Sequence, residues 1–217
     1  MKIAIMQPYF FPYVGYYEMF RDVDKFIFYD TAQYIRRGWC HRNRIKSSTG
    51  WQYVRLPVCH SPQKTPIKDI LLAENDWIGE ICKRLTLTYG CNSKKHPIYS
   101  VFEKFQSMWT AGERHFRDYA CQSVVLTAEI LGISHPDKWI YSSQFADDKP
   151  MQRIEKIISL CQCLGADSYI NLPGGVDIYD ATEFANAGIK LEFQPKTTFF
   201  NNLSILDLCL GDELRCL

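Results

Sequence analysis

The chain has 217 residues, enough to fill one core, and its 47% hydrophobic and 23% charged content is ordinary for a folded soluble protein. A net charge of +1 excludes a global pull toward nucleic acid or membrane, and no window approaches the roughly 18 consecutive apolar residues of a membrane span. Nine scattered cysteines, an odd number, read as reduced thiols, and with no secretory pattern at the N-terminus a cytoplasmic location is expected.

In chain order, Lys2–Met6 reads as a short buried strand ended by Gln7-Pro8. Three aromatics, Tyr9, Phe10 and Phe11, then stand before Pro12, and Val14–Arg21 has a helical apolar face through Val14, Tyr17 and Phe20. "KFIFYD", Lys25–Asp30, is a second buried strand, so the first thirty residues predict strand, helix, strand: a βαβ unit in a parallel sheet. A basic loop is expected over Thr31–Gly50, a third strand over Trp51–Val58, and a further strand or extended edge segment over Pro66–Leu72.

From Asn75 the periodicity becomes helical, with helices expected over Asp76–Tyr89, Pro97–Thr110 and Glu113–Leu131. The sheet is then expected to resume: a strand over Lys138–Ser143, a helix over Met151–Leu164 stopped by Gly165, and a strand over Asp167–Leu172 leading into "PGG". A short helix over Thr182–Asn186, a last strand over Ile189–Phe193 and a last helix over Leu203–Leu210 complete the order. The whole predicts a single α/β domain. Its sheet is open, mostly parallel and Rossmann-like, with helices on both faces and a helical lobe inserted at about 75–132.

The charge is unevenly placed. From Thr31 to Lys68 there is no Asp or Glu, whereas Arg36, Arg37, Arg42, Arg44, Lys46, Arg55, Lys64 and Lys68 all fall there. "RRGWCHRNR" sets four guanidiniums in nine residues around His41 and Asn43, a pattern suited to the oxygens of a diphosphate, although a solvated basic surface explains any one of them equally well.

Ligands of open parallel sheets bind at the carboxyl ends of the strands. Four segments should therefore converge: Gln7–Phe11, Asp30–Gln33, Ser142-Ser143 and Asn171–Gly175. Tyr9, Phe10 and Phe11 would either wall a base or sugar pocket or plug the helical lobe onto the sheet. Gly15 would let backbone approach a ligand or another element. Gly174 and Gly175 would open a loop to a phosphate or carboxylate, or serve a plain turn. Asp30 would bind a hydroxyl, act as base, or hold Arg36 or Arg42 in a salt bridge. Cys40-His41 and Cys59-His60 imitate metal-ligand pairs, but adjacent residues seldom reach one ion, so no metal is expected. Neither a P-loop nor G-x-G-x-x-G nor G-x-S-x-G is present.

"IAIMQPYFFPYVGYYEMF", "KFIFYDTAQYIRRGWCHRNRIK", "WQYVRLPV" and the late "LSILDL" resemble the WbqC-like proteins over nearly the whole chain and in order. That family is associated with genes for lipopolysaccharide O-antigen and other surface polysaccharides. The resemblance thus implies a cytoplasmic role in making or modifying an activated sugar, and it names no catalytic residue; an activated acyl group is the other substrate expected of such a site. The strand, proline-bearing loop, glycine and helix at the N-terminus are also similar to nucleotidylyltransferase-like folds. Those carry a histidine pair where this chain has Pro12, Gly15 and Tyr16.

Three classes follow. The first is a transferase in which Asp30 and His41 are catalytic, while Gln7, Tyr9, Gly15, Arg36, Arg37, Arg42, Asn43, Arg44, Gly174 and Gly175 bind a phosphate-bearing small molecule. The second is a non-catalytic binder of a sugar nucleotide or a partner enzyme, and the third, the least favoured, a nucleic-acid binder. Neither nucleic acid nor membrane insertion is expected.

Overall fold

The computed structural model describes residues 1–133, 136–145, 152–195 and 203–211. In it β1 (Lys2–Met6) leads through α1 (Val14–Asp22) to β2 (Lys25–Phe28), and both strands pair in parallel, Ala4 opposite Phe26. A hairpin follows, β3 (Arg42–Ser47) against β4 (Gly50–Arg55), and then α2 (Trp77–Tyr89), α3 (Tyr99–Thr110) and α4 (Phe116–Ile130). Beyond that lobe the chain returns as β5 (Trp139–Tyr141), α5 (Arg153–Cys163), β6 (Ser168–Asn171), α6 (Ala181–Asn186), β7 (Lys190–Phe193) and α7 (Ile205–Leu210).

Five strands form one parallel sheet in the order β5-β2-β1-β6-β7. The chain builds outward from β1 to β2 and β5, then turns back to β6 and β7 on the other side of β1. The covering face changes with it. Ala4, Phe26 and Phe28 pack with α1 and the lobe, while Ile3, Ile5 and Ile27 pack with Ile157, Leu160 and Cys161 of α5 and Phe184 of α6. Side chains alternate across a strand, so strands buried on both sides read as continuous apolar runs. Right-handed crossovers require the helices to change face when the direction of travel reverses.

Helix ends follow local chemistry. Asp76 accepts from the Gly79 N–H to cap α2, Gln152 and Glu155 form a capping box on α5, and Ser204 accepts from the Leu206 N–H to cap α7.

Three expectations need correction. Thr31–Gly50 is not all loop, because Arg42–Ser47 is β3. The strand expected at Trp51–Val58 is β4 and belongs to a separate two-stranded sheet, paired to β3 alone. Within Pro66–Leu72 the chain makes a 3-10 turn at Ile67–Asp69, joined to its surroundings by isolated bridges such as Val58 to Leu72.

Phe10 and Phe11 are fully buried and sit against Phe102 and Phe105 of α3, and Phe10 also meets Trp77 of α2. These two rings are the plug that joins lobe to sheet. Phe11 holds a left-handed backbone, φ 41°, which costs a non-glycine residue of order 1–3 kcal/mol unless its surroundings enforce it. Here they do. Its N–H donates to Ser123 Oγ at 2.9 Å, and its carbonyl accepts from Asn43 Nδ2 at 2.8 Å and Ser204 Oγ at 2.7 Å.

Candidate functional site at the carboxyl edge of the sheet

The strand order reverses at β1, which makes the carboxyl ends of β1 and β6 the switch point where sheets of this kind hold their ligands. Gln7 and Tyr9 leave β1 there, and the turn Pro173–Gly175 leaves the neighbouring β6. The loop after β2 folds back onto this edge. The Phe10 N–H donates to the Cys40 carbonyl at 2.8 Å, and Cys40 Sγ donates to Gln7 Oε1 at 3.5 Å. Burial pushes the Cys40 thiol up to about 12, so it is a neutral hydrogen-bond donor and not a nucleophile.

Beside it, the Tyr34 hydroxyl and His41 Nδ1 are 2.8 Å apart. Burial first, then the Arg42 and Arg55 charges, lower the His41 imidazole to about 4. It is therefore neutral at physiological pH. Burial and the neighbouring Cys40 raise the Tyr34 hydroxyl, which stays protonated, with Arg36 and Arg42 acting the other way. Burial likewise raises Tyr9, whose neighbours include Cys40 and Tyr13. A cleft of about 440 Å³ opens on the Tyr34 side of this pair, lined by Tyr34, Arg36, His60 and Gln63 among others, while Gln7, Tyr9, His41 and Arg42 lie outside its lining.

Asp30 is placed differently from its expected surroundings. It is fully buried. Oδ1 accepts from Ser142 Oγ at 2.8 Å and the Ser143 N–H at 2.9 Å, and Oδ2 from Ser143 Oγ at 2.7 Å and Arg117 Nη1 at 3.0 Å. Its cation is thus Arg117 of α4, not Arg36 or Arg42 of the basic loop. The carboxylate ties the ends of β2 and β5 to the lobe. With four donors on two oxygens it has the satisfaction a buried charge needs.

The structure brings Gln7, Tyr9 and His41 to one edge, with Arg36 and Arg42 near the Tyr34–His41 pair and Gly174 and Gly175 on the adjacent strand end. Other expected site residues have structural places. Asn43, 7% exposed, spends its amide on the Phe11 carbonyl and its oxygen on the Arg44 N–H. Gly15 lies inside α1, where a Cβ would come 2.6 Å from the Tyr13 ring, so its small size accommodates that ring and not a ligand. A Cβ at Gly175 would meet Asn171 and Tyr179 at 3.1 Å, whereas Gly174 is open. Arg37 is exposed with φ 62°, and its carbonyl accepts from Arg42 Nη2. Arg44 sits on the outer face of the hairpin, between Trp39 and Trp51.

Sequence reasoning missed Arg117 and Tyr34. Arg117 lies 87 residues from its partner Asp30, beyond the reach of any spacing argument. Tyr34 stands in the quoted "TAQYIRR" stretch, seven residues before His41, and the histidine with an aromatic on the same loop was the available signal.

Glu113, His115 and Asp118 bring ligand-type atoms within 4.8 Å of one another. Glu113 Oε1 is already engaged by His115 Nδ1 and two backbone N–H groups, and Asp118 Oδ1 by Arg117 and Tyr141. Internal hydrogen bonding accounts for the group. Among the described residues no helix is long and apolar enough to cross a membrane.

Five parallel strands turning back at the first, with helices on both faces and polar groups gathered on the carboxyl edge, define an α/β protein of the doubly wound kind. The profile of the WbqC-like protein family matches residues 7–213, and the chain belongs to that family. Over 198 residues it is 27% identical to the uncharacterized protein Rv1507c of Mycobacterium tuberculosis (strain ATCC 25618 / H37Rv), a match covering 88% of this chain and 80% of the relative. No solved structure matches the chain significantly.

Proposed function

We propose that the protein binds a phosphate-bearing small molecule, a nucleotide-activated sugar or acyl group, over the carboxyl ends of β1 and β6, and transfers a group from it during surface-polysaccharide synthesis. The observation that carries this reading is the reversal of strand order at β1, the position at which ligands of such sheets bind.

The Gln7 amide, oriented by Cys40, hydrogen-bonds the sugar or acyl portion. Arg36 and Arg42 neutralise phosphate oxygens near the Tyr34–His41 pair. Tyr34 donates to His41 Nδ1, which leaves the imidazole proton on Nε2 to be given to a ligand oxygen. Asp30 acts by position, fixing the strand ends and Arg117. Such a site works by placement and charge, which is what transfer of an activated group demands.

The test is thermal unfolding of the purified protein with nucleotides, nucleotide sugars and acyl-CoA, beside Gln7→Ala and Arg42→Ala. A ligand present at about 100 times its Kd adds roughly 2.7 kcal/mol. Stabilisation by one ligand class, lost in both variants, is the expected outcome. No stabilisation by any class would sink the reading.

A further inference from the structure

A second surface lies on the outer face of the hairpin. On β3 and β4 side chains alternate, so Asn43, Ile45 and Val54 face the core while Arg42, Arg44, Trp51, Tyr53 and Arg55 face outward, Arg42 lying 4.6 Å from the Tyr53 ring. The outward residues form a ladder with Trp39. Arg44 lies 5.1 Å from the Trp39 ring and 5.2 Å from Trp51, Tyr53 packs edge-on to Trp51 at 5.0 Å, and Arg55 lies 5.8 Å from Tyr53. Nearly half of each indole is in water, Trp39 at 44% and Trp51 at 49%. No Asp or Glu occurs between Thr31 and Lys68 to offset the cations.

We infer that this hairpin face docks the protein on an anionic lipid bilayer surface. Two half-exposed indoles ringed by arginines match the headgroup layer in both respects. Indoles settle at the boundary between water and hydrocarbon, and guanidiniums pair with lipid phosphates while their stems stay in apolar contact. The cations complement the negative leaflet; the hairpin carries no acid of its own, and Asp207 and Glu80 of other elements lie toward its Lys46 end, away from Arg55. Stacked guanidiniums already occupy ring surface on Trp39, Trp51 and Tyr53, which leaves less of it for nucleic-acid bases to stack on. The docking is peripheral, through side chains of a two-stranded ribbon, and needs no spanning segment.

The experiment is co-sedimentation of the full chain with vesicles of phosphatidylcholine alone or mixed with phosphatidylglycerol, at low and at physiological ionic strength, with tryptophan emission read in the same samples. Oligothymidylate binding is measured in parallel. The wild-type protein is expected to pellet with the mixed vesicles only, less so with added salt, and with a blue shift in emission. Arg44→Glu and Arg55→Glu should each weaken binding at least about fivefold. Trp51→Ala should shrink the blue shift. Arg55 is exposed at a strand end, so its variant answers the question if Arg44→Glu fails to fold, judged by circular dichroism. The proposed function gives no role to these three residues, but Arg42 shares their face and Arg55 acts on His41, so each variant is also run with the ligands of the thermal test: lost vesicle binding with an unchanged ligand shift separates the two readings. No binding to the mixed vesicles, equal binding to both kinds, unaltered binding by the Arg55 variant, or binding to the oligonucleotide but not to vesicles would each overturn the inference.

Discussion

At the scale of single residues, the half-buried imidazole of His41 ties the site to pH. Its native value of about 4 lies below the ordinary 6.5, chiefly through burial and then through Arg42 and Arg55. Between those values the unfolded chain binds a proton that the native protein does not. This group therefore makes stability fall as pH drops from about 6.5 toward 4, and has no effect above that window. We expect the His41 ring resonance to titrate near pH 4 in proton NMR, and Arg42→Ala to move the midpoint upward; a midpoint near 6.5 would refute the burial argument. Asp30→Ala leaves Arg117 without its buried partner and frees two serines, and should lower stability by about 3 kcal/mol in urea titration. The sequence marked Asp30 as important from its place at a strand end. It could not name the partner, because Arg117 reaches it only once the lobe has folded back over the sheet.

Among the elements, the turn Gln7–Pro12 shows how local strain is held. Ser123 of α4, Asn43 of β3 and Ser204 ahead of α7 converge on one peptide unit either side of Phe11. Removing Ser123 Oγ strips a buried N–H of its acceptor, so Ser123→Ala should cost about 1–3 kcal/mol, measured as a shift in denaturant midpoint. A loss under a few tenths would mean that another group takes over. Ser123 and Ser204 gave no sequence signal, since serines are common and these lie 112 and 193 residues from Phe11.

The sheet strands were legible as short apolar runs bounded by turn residues, and the longer helices by their apolar period. The hairpin was read in halves. "WQYVRLPV" alternates visibly, but "RNRIKS" offers only Ile45 as an apolar inward residue, and its outward side is held by stacking of arginines on rings instead of burial. Basic content there pointed to loop. The antiparallel partnership was invisible for the same reason.

For the whole molecule, the relation between lobe and sheet decides how it unfolds. Phe105 of α3 meets Phe10 and Phe11 on one side and Trp77 and Tyr119 on the other, and one apolar cluster runs from β1 and β2 through α1 into all three lobe helices. Secondary structure and aromatic packing should therefore be lost together, in coincident far- and near-ultraviolet circular dichroism transitions. Phe105→Ala should lower that single midpoint by the equivalent of about 3–5 kcal/mol. Two separated transitions would show the lobe to be an independent unit.

The acid-free stretch also divides the charge of the chain unevenly. Residues 31–68 hold eight cations and no acid; the remainder holds seventeen cations and twenty-four acids, a net charge of −7. A molecule with an overall charge near zero can thus be strongly lopsided. Near its isoelectric point of about 7.5 it should be retained by both cation- and anion-exchange resins at low ionic strength, the cation exchanger through residues 31–68 and the anion exchanger through the acids outside them. Chromatography that treats it as a uniform sphere of charge +1 would predict retention on neither.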